Sequence, residues 1–483
     1  MEKKPNIIVF MTDHQRYDTV FPYNRAITPN FSALAERSAV FTHAYCPSPH
    51  CCPSRASFFS GLYPSEHGIW NNVDVGNTLS RRLNDNVRLF PQMLKKAGYR
   101  CCFSGKWHVS AEQSPSSFGF EEVFNFNGSY EKKGRRPNDY EWDLYYKGER
   151  AGKICDAQTQ RQEGQIVREG YPLYTQYGNS ENPYADGTTV EEALKMLQKK
   201  DERPLFMYVG VTGPHDPYIP PKEFEDLYSL QDIRLPPSFH DEMENRPNLY
   251  KRTKSMYDRL TENEHRKSIL KYLAFCSYED FQFGKIVAEA KKLAGDTVIL
   301  YLSDHGDYCG DHGLWAKGLP CFEGAYRIPL LIYDSRVQVG QVREEAVSLC
   351  DLAPTILEAA GIKSKRKFSG YSVYKLVKQE PCEWKREEIC TQSNGNELYG
   401  IQRSIRTKRY KLVYNGFDFD EFYDLELDPH ETVNRIGEEK YKDIIRDLYK
   451  RLWQFAYEHK DTCINPYIMV GLAQYGPGII FEK

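Results

Sequence analysis

A chain of 483 residues with 40% apolar side chains is long enough for one large core and a second, smaller one. Its 64 basic and 67 acidic residues leave a net charge of −3, which lacks the basic excess that tracks a phosphate backbone and sets nucleic acid aside as a partner. The thirteen cysteines follow no paired or CxxC spacing, so most are expected to be reduced and buried rather than bridged or zinc-bound.

The chain opens "MEKKPNIIVFMTDHQ". The run "IIVFM" is too short for a secretion signal or a membrane span, so the sequence as given reads as cytoplasmic with no membrane partner. A leader removed beforehand would make it periplasmic or secreted. The same run, "PNIIVFMTD", is continuous and apolar, suits a central parallel strand, and ends in Asp13 and His14.

Next comes "PHCCPSRASFFSGLYP". Pro53 suits the first helical position and Gly61 the position just past the end, which predicts a short helix over Ser54–Ser60. Cys51 then sits at a helix N-terminus, where free N–H groups favour an anion, and Arg55 can turn back to add positive charge. A buried thiol beside a surface arginine explains the same local features.

Cys101 and Cys102 follow "AGYR" on a predicted core strand, and "GKWH" supplies Lys106 and His108. From Asn125 to about Asp186 the chain turns polar and reads as an insertion or lid. Its Tyr, Trp and Arg between 130 and 178 suit a sugar platform or a solvated aromatic loop. A helix is predicted over Val190–Lys200, then the strand and loop "PLFMYVGVTGPHDPY" with His215, a helix over Ile269–Lys292, and "DTVILYLSDHGD", which ends in Asp304 and His305. "GLWAKG" carries Lys317.

After "VSLCDLAPTILEAAGI", a helix ending near Gly361, and the basic "KSKRKFSG", the stretches "SIRTKRYKLVYNG" and "EFYDLELDP" read as strands ahead of a helix over Lys440–His459. This divides the chain into 1–375, with 125–186 as its insertion, and a smaller α+β unit over 376–483. "NPYIMVGLAQYGPG" suits either a cover over the cleft or a subunit contact, and homo-oligomerisation stays open.

In open α/β sheets ligands bind beyond the carboxyl ends of the strands, so the polar tips should converge. Asp13, Asp304 and His305 offer hard oxygen and imidazole ligands for a divalent cation. Lys106, Lys317, His108 and His215 are equipment for holding a charged oxyanion and protonating a leaving group.

At this point the sequence resembles the type I sulfatases of the alkaline phosphatase superfamily. "CCPSRASFFSG" matches their C-x-P-S-R-x-x-x-L-T-G signature with Cys51 first, Phe59 for Leu and Ser60 for Thr; from Cys52, Pro and Arg would fall one residue early. The resemblance continues through "GKWHV", "GPHDPY", "SDHGDYCGDHGLWAKG" and "FYDLELDPHE". It implies an alkaline-phosphatase-like α/β/α sandwich with a large, mostly parallel sheet, plus a smaller C-terminal α+β domain with an antiparallel sheet.

It also implies that a formylglycine-generating enzyme converts Cys51 to formylglycine, whose hydrated aldehyde attacks sulfur and later expels sulfate by hemiacetal collapse. By matching positions, Arg55 would hold the diol and Lys106 and His108 would assist it. His215 and Lys317 would bind the sulfate and help the leaving oxygen, while Asp13, Asp304, His305 and the modified Cys51 would hold the metal. Ca2+ is favoured, with Mn2+ or Mg2+ tolerated. The substrate would be a small-molecule or glycan sulfate ester, such as a sulfated carbohydrate or aryl sulfate.

The departure is His14, where sulfatases typically carry Asp. "TDHQRYD" looks more like the D-Q-x-R-x-D version of choline-sulfatase-like enzymes and phosphonate monoester hydrolases, and His14 is either a ligand or a residue behind the ligands. Hydrolysis of phosphonate monoesters or phosphodiesters is the second reading. A metal- or anion-binding protein with unmodified Cys51 is the third. Cys51 is expected to face the surface of the cleft and add little to core packing.

Overall fold

The structure, a computed structural model, describes residues 4–126, 145, 154–337, 340–384, 386–396, 398–464 and 471–482. Its central sheet has eight strands: β1 (Asn6–Thr12), β2 (Ser38–Phe41), β3 (Arg100–Gly105), β4 (Glu121–Asn125), β5 (Leu205–Gly210), β6 (Thr297–Ser303), β7 (Leu330–Asp334) and β8 (Gln341–Arg343). Their spatial order is β8-β2-β7-β6-β1-β5-β3-β4. Only β7 runs against its neighbours; every other pairing in this sheet is parallel.

The apolar runs are continuous because both faces of the sheet are covered. Along β1, Ile7, Val9 and Met11 enter one core while Ile8 and Phe10 enter the other. The helices that cover these faces and the C-terminal unit are α1 (Cys51–Ser60), α2 (Asp186–Leu197), α3 (Glu262–Ala290), α4 (Leu352–Ala359) and α5 (Lys442–Glu458). Ala56, Phe58 and Phe59 of α1 share the first core with Leu352, Ile356 and Leu357 of α4. Val190 and Ala193 of α2 and Phe283 and Ile286 of α3 close the second. The result is a three-layer α/β/α sandwich.

The C-terminal unit is an antiparallel sheet of β9 (Ile389–Gly395), β10 (Tyr399–Arg406), β11 (Tyr410–Asn415) and β12 (Glu421–Asp424), in that order. "SIRTKRYKLVYNG" is therefore a hairpin, with Ser404 opposite Val413. Ile405, Leu412 and Phe422 on one face pack on Leu448, Leu452 and Trp453 of α5. Ile389, Val413 and Tyr423 on the other face join the first core, which cements the two units together.

Three helices start ahead of expectation: α1 at Cys51, α2 at Asp186 and α3 at Glu262, the last capped by Thr261, whose side chain accepts from Glu264 N. Proline is tolerated throughout a first helical turn, where the N–H groups have no intrahelical partner, so Pro53 marks the turn and not its first residue.

Of the polar stretch 125–186, residues 125, 126, 145 and 154–186 are described. Gln165–Ile166 pairs with Tyr174–Thr175, and Glu264 of α3 accepts from Gly164 N at 2.6 Å. Residues 130–144 and 146–153 of the proposed aromatic platform, and 465–470 of the C-terminal stretch, lie outside the described residues. Farther along that stretch, Tyr475 O accepts from Trp453 Nε1 at 2.6 Å, against α5. Twelve cysteines are buried and free, and Cys382 is free and exposed. Among the described residues no helix is long and apolar enough to cross a membrane.

Candidate active site

The carboxyl ends of β1, β3, β5 and β6 lead directly into the ionisable residues, as the topology of a parallel sheet requires. Asp13 and His14 follow β1, Lys106 and His108 follow β3, His215 lies on the loop after β5, and Asp304 and His305 follow β6. Into this ring points the N-terminus of α1. His50 is extended (φ −124°, ψ 145°), so the first helical residue is Cys51. The helix ends at Gly61 with φ 67°, where an added Cβ would lie 2.6 Å from Phe368 Cδ1. Conformation and space both demand glycine there.

Cys51 Sγ lies 3.3 Å from His305 Nε2, 3.7 Å from Asp13 Oδ1 and 3.7 Å from Lys106 Nζ. Burial and Asp13 oppose ionisation of this thiol, but Lys106, Lys317 and His305 outweigh them and hold it well below the ordinary cysteine range. Cys51 is 1% exposed, which corrects the expectation of a surface-facing thiol. The charged side chains that activate it also cover it.

Arg55, 0% exposed, is committed to the carboxylates. Its Nε donates to Asp304 Oδ2 at 2.7 Å and its Nη2 to Asp13 Oδ2 at 3.0 Å, while Nη1 donates to Lys106 O and Tyr208 Oη. Asp13 also accepts from Lys106 Nζ at 2.5 Å. Burial would raise the Asp13 carboxyl, yet Lys106 and Arg55 hold it well below the usual range. Asp304 sits above that range because burial outweighs Arg55.

His14 has a left-handed backbone, φ 64°. Its Nδ1 is 2.9 Å from Asp307 Oδ2, which also accepts from Tyr218 Oη at 2.9 Å. Burial, His215, Lys317 and His305 together push its pKa well down. A neutral ring with Nδ1–H on Asp307 leaves Nε2 as acceptor, facing Asp13 Oδ1 at 3.8 Å and accepting from Lys317 Nζ. Lys317 Nζ lies 3.3 Å from His215 Nε2, which joins these two residues to the cluster. His108 borders Cys51 and Cys52 and meets Asp74 at 2.9 Å.

Asp307, Asp74, Tyr208 and Tyr218 escaped the sequence reading. Asp307 was visible as the next acid in "SDHGD", and Asp216 beside His215 in "GPHDPY"; Tyr208, inside a strand, carries no local signal.

Donor atoms of Asp13, His14, Cys51 and His305 all lie within 4.8 Å of one another. His305 Nδ1 is 2.9 Å from Gly306 O, so both imidazoles have Nδ1 engaged and Nε2 turned to the cluster. One carboxylate, two imidazoles and the position 51 side chain fit a divalent cation. The Asp304 carboxylate, turned toward Arg55, stands 3.7 Å from His305 Nε2.

A buried thiol at a helix N-terminus and a cluster of metal-type donor atoms at the open end of a doubly covered sheet are the arrangement of an alkaline-phosphatase-like α/β hydrolase. Residues 5–362 match the sulfatase family model, and 310–458 match the model described as N-sulphoglucosamine sulphohydrolase, C-terminal. The chain belongs to the sulfatase family and is a sulfatase enzyme. It is 28% identical over 482 residues to an arylsulfatase of Clostridium perfringens, covering 93% of this chain and 94% of that one. It is 24% identical over 532 residues to an N-acetylglucosamine-6-O-sulfatase of Bacteroides thetaiotaomicron, covering 95% and 88%. The solved phosphonate monoester hydrolase of Agrobacterium radiobacter shares the fold, with TM-score 0.75, 19% identity, and coverage of 94% and 96%.

Proposed function

We propose that this sulfatase hydrolyses the sulfate monoester of a sugar or aryl alcohol at position 51. Asp13, Asp304, His305 and the position 51 side chain, joined by His14, would hold a divalent cation, Ca2+ ahead of Mn2+ or Mg2+. The observation that carries this reading is Cys51 at the first residue of α1, with Sγ 3.7 Å from Lys106 Nζ and 3.3 Å from His305 Nε2.

As formylglycine, made by a maturing enzyme, position 51 supplies a hydrated aldehyde, and the cation supplies charge that acidifies it and screens the sulfate. Lys106 keeps a fixed positive charge beside the attacking atom, and His108 assists it as a second cation: burial opposes its charge, but Cys52 and Asp74 hold its pKa well above the ordinary imidazole range. Lys317 faces the sulfate oxygens. Burial opposes its charge, but Cys51, Asp13 and Asp216 outweigh that and raise its pKa. His215, 25% exposed, is open to the cleft and delivers the proton to the departing alcohol. Four of the five N–H donors of Arg55 go to Asp13, Asp304, Lys106 O and Tyr208, so it fixes the two carboxylates and has one Nη2–H left to hold the diol.

The aryl alternative is supported by the likeness to the arylsulfatase and the sugar alternative by the likeness to the N-acetylglucosamine-6-O-sulfatase. The test is the mass of the tryptic peptide holding Cys51, with parallel turnover of an aryl sulfate, N-acetylglucosamine 6-sulfate and an aryl phosphonate monoester. A mass about 18 Da below the cysteine form with dominant sulfate turnover is expected. Aldehyde with dominant phosphonate turnover would replace the reading by phosphonate monoester hydrolysis.

A further inference from the structure

Next to the cation cluster, on the far side of α1's first turn, a second set of ligand-type side chains comes together. Cys52 is the second residue of α1, Asp74 lies on the loop after that helix, and His108 follows β3; their donor atoms all lie within 4.8 Å of one another. His108 Nε2 is 2.9 Å from Asp74 Oδ1, while its Nδ1 is buried with no hydrogen-bond partner. His108 is 8% exposed and its backbone is left-handed, φ 48°, which a non-glycine residue adopts only where its surroundings impose it. Cys52 Sγ accepts from Val73 N at 3.4 Å, which ties the Asp74 loop to the thiol. The Asp74 side chain is 61% exposed, so the trio opens to solvent.

We propose that Cys52, Asp74 and His108 form an inhibitory zinc site, with the fourth position taken by water. A thiolate, an imidazole and a carboxylate suit Zn2+, and the sulfur discriminates against Ca2+ and Mg2+. Zinc bonds of about 2.0–2.3 Å place neighbouring donors about 3.3–3.7 Å apart, so closure asks for shifts of about 1 Å, supplied from the exposed Asp74 side. On binding, the Cys52 S–H proton and one His108 ring proton leave to solvent, and a Zn–S and a Zn–N bond take their places. The ion draws His108 away from the position 51 side chain and turnover stops. The inhibitory effect rests on the role proposed for His108; the binding does not.

The mature enzyme is assayed on an aryl sulfate with calcium in excess while zinc chloride is added stepwise. Zinc should inhibit the wild-type enzyme. Cys52→Ser, which keeps an acceptor for Val73 N, should retain the zinc-free rate and need about tenfold or more zinc for equal inhibition. Equal sensitivity of the two proteins would overturn the site. Binding is read separately, without turnover, on Cys51→Ala. Cobalt(II) should give a near-ultraviolet thiolate-to-metal charge-transfer band at one ion per chain, lost in the Cys51→Ala, Cys52→Ser double variant. A band that persists in the double variant, or is absent from Cys51→Ala, refutes the site whatever the substrate proves to be.

Discussion

Replacing Arg55 with Met tests the charge balance at the centre of the site. The guanidinium is fully buried between Asp304 Oδ2 at 2.7 Å and Asp13 Oδ2 at 3.0 Å. Without it Asp13 keeps Lys106 at 2.5 Å, whereas Asp304 loses its hydrogen-bonded cation and keeps only His305, 3.7 Å away. One buried pair broken from one side costs about 3–5 kcal/mol, and an unbranched apolar replacement adds little cavity cost. Asp304 already lies above the usual carboxylate range, so taking up a proton is open to it and draws the loss toward the lower figure. The assay is denaturant-induced unfolding in the presence of a chelator and again with saturating calcium. Arg55→Met should lose about 3–5 kcal/mol in chelator and less with calcium, whose charge substitutes beside the carboxylates. Stability within about 1 kcal/mol of wild type in chelator, the scale of an exposed pair, would refute the reasoning.

Cys51→Ala should abolish sulfate turnover while leaving the unfolding transition cooperative, because the lost sulfur contacts ionic groups and not the apolar core; full activity would remove the mechanism. His14→Asn should shift the ratio of manganese to calcium affinity in titration calorimetry by about tenfold or more while changing turnover less, and unchanged affinities would exclude His14 as a ligand. Burial would raise the Asp241 carboxyl, but its hydrogen bond to His312 and the adjacent Arg246 hold it down to about 2. A carboxylate depressed in the folded state contributes stability in full above its unfolded value of about 3.9 and loses it as pH falls through the folded value. Wild type should therefore lose more stability than Asp241→Asn between about pH 4 and pH 2, and parallel denaturation curves would exclude this linkage.

The sequence by itself determined the strands that carry the site and the kind of chemistry at their ends. Continuous apolar runs such as "NIIVFMT" and "TVILYLS" demand burial on both faces, and the ionisable residues that follow them can be placed only beyond the sheet. The spacing of Pro53, Arg55 and Gly61 singled out Cys51 over Cys52 by the family signature. Gly61 marked the end of α1 because its left-handed backbone is a local requirement. Helix starts were less legible: α1 begins at Cys51, directly after the extended His50 and two residues ahead of Pro53.

Tertiary structure alone decided which atoms meet. Arg55 reads as a cation near a nucleophile, yet most of its donors go to Asp13, Asp304, Lys106 O and Tyr208, which come from separate strands or their tips. His14 reads as an outlier in a motif, and only Asp307 on its Nδ1 turns Nε2 toward Asp13. Asp74 meets His108 across two loops, with no sequence spacing to announce it. The periodicity of a strand or helix follows from backbone geometry within a few residues and is written in the chain. Side-chain orientation at a site depends on burial and charge contributed by residues hundreds of positions away, and those are fixed only when the sheet has assembled.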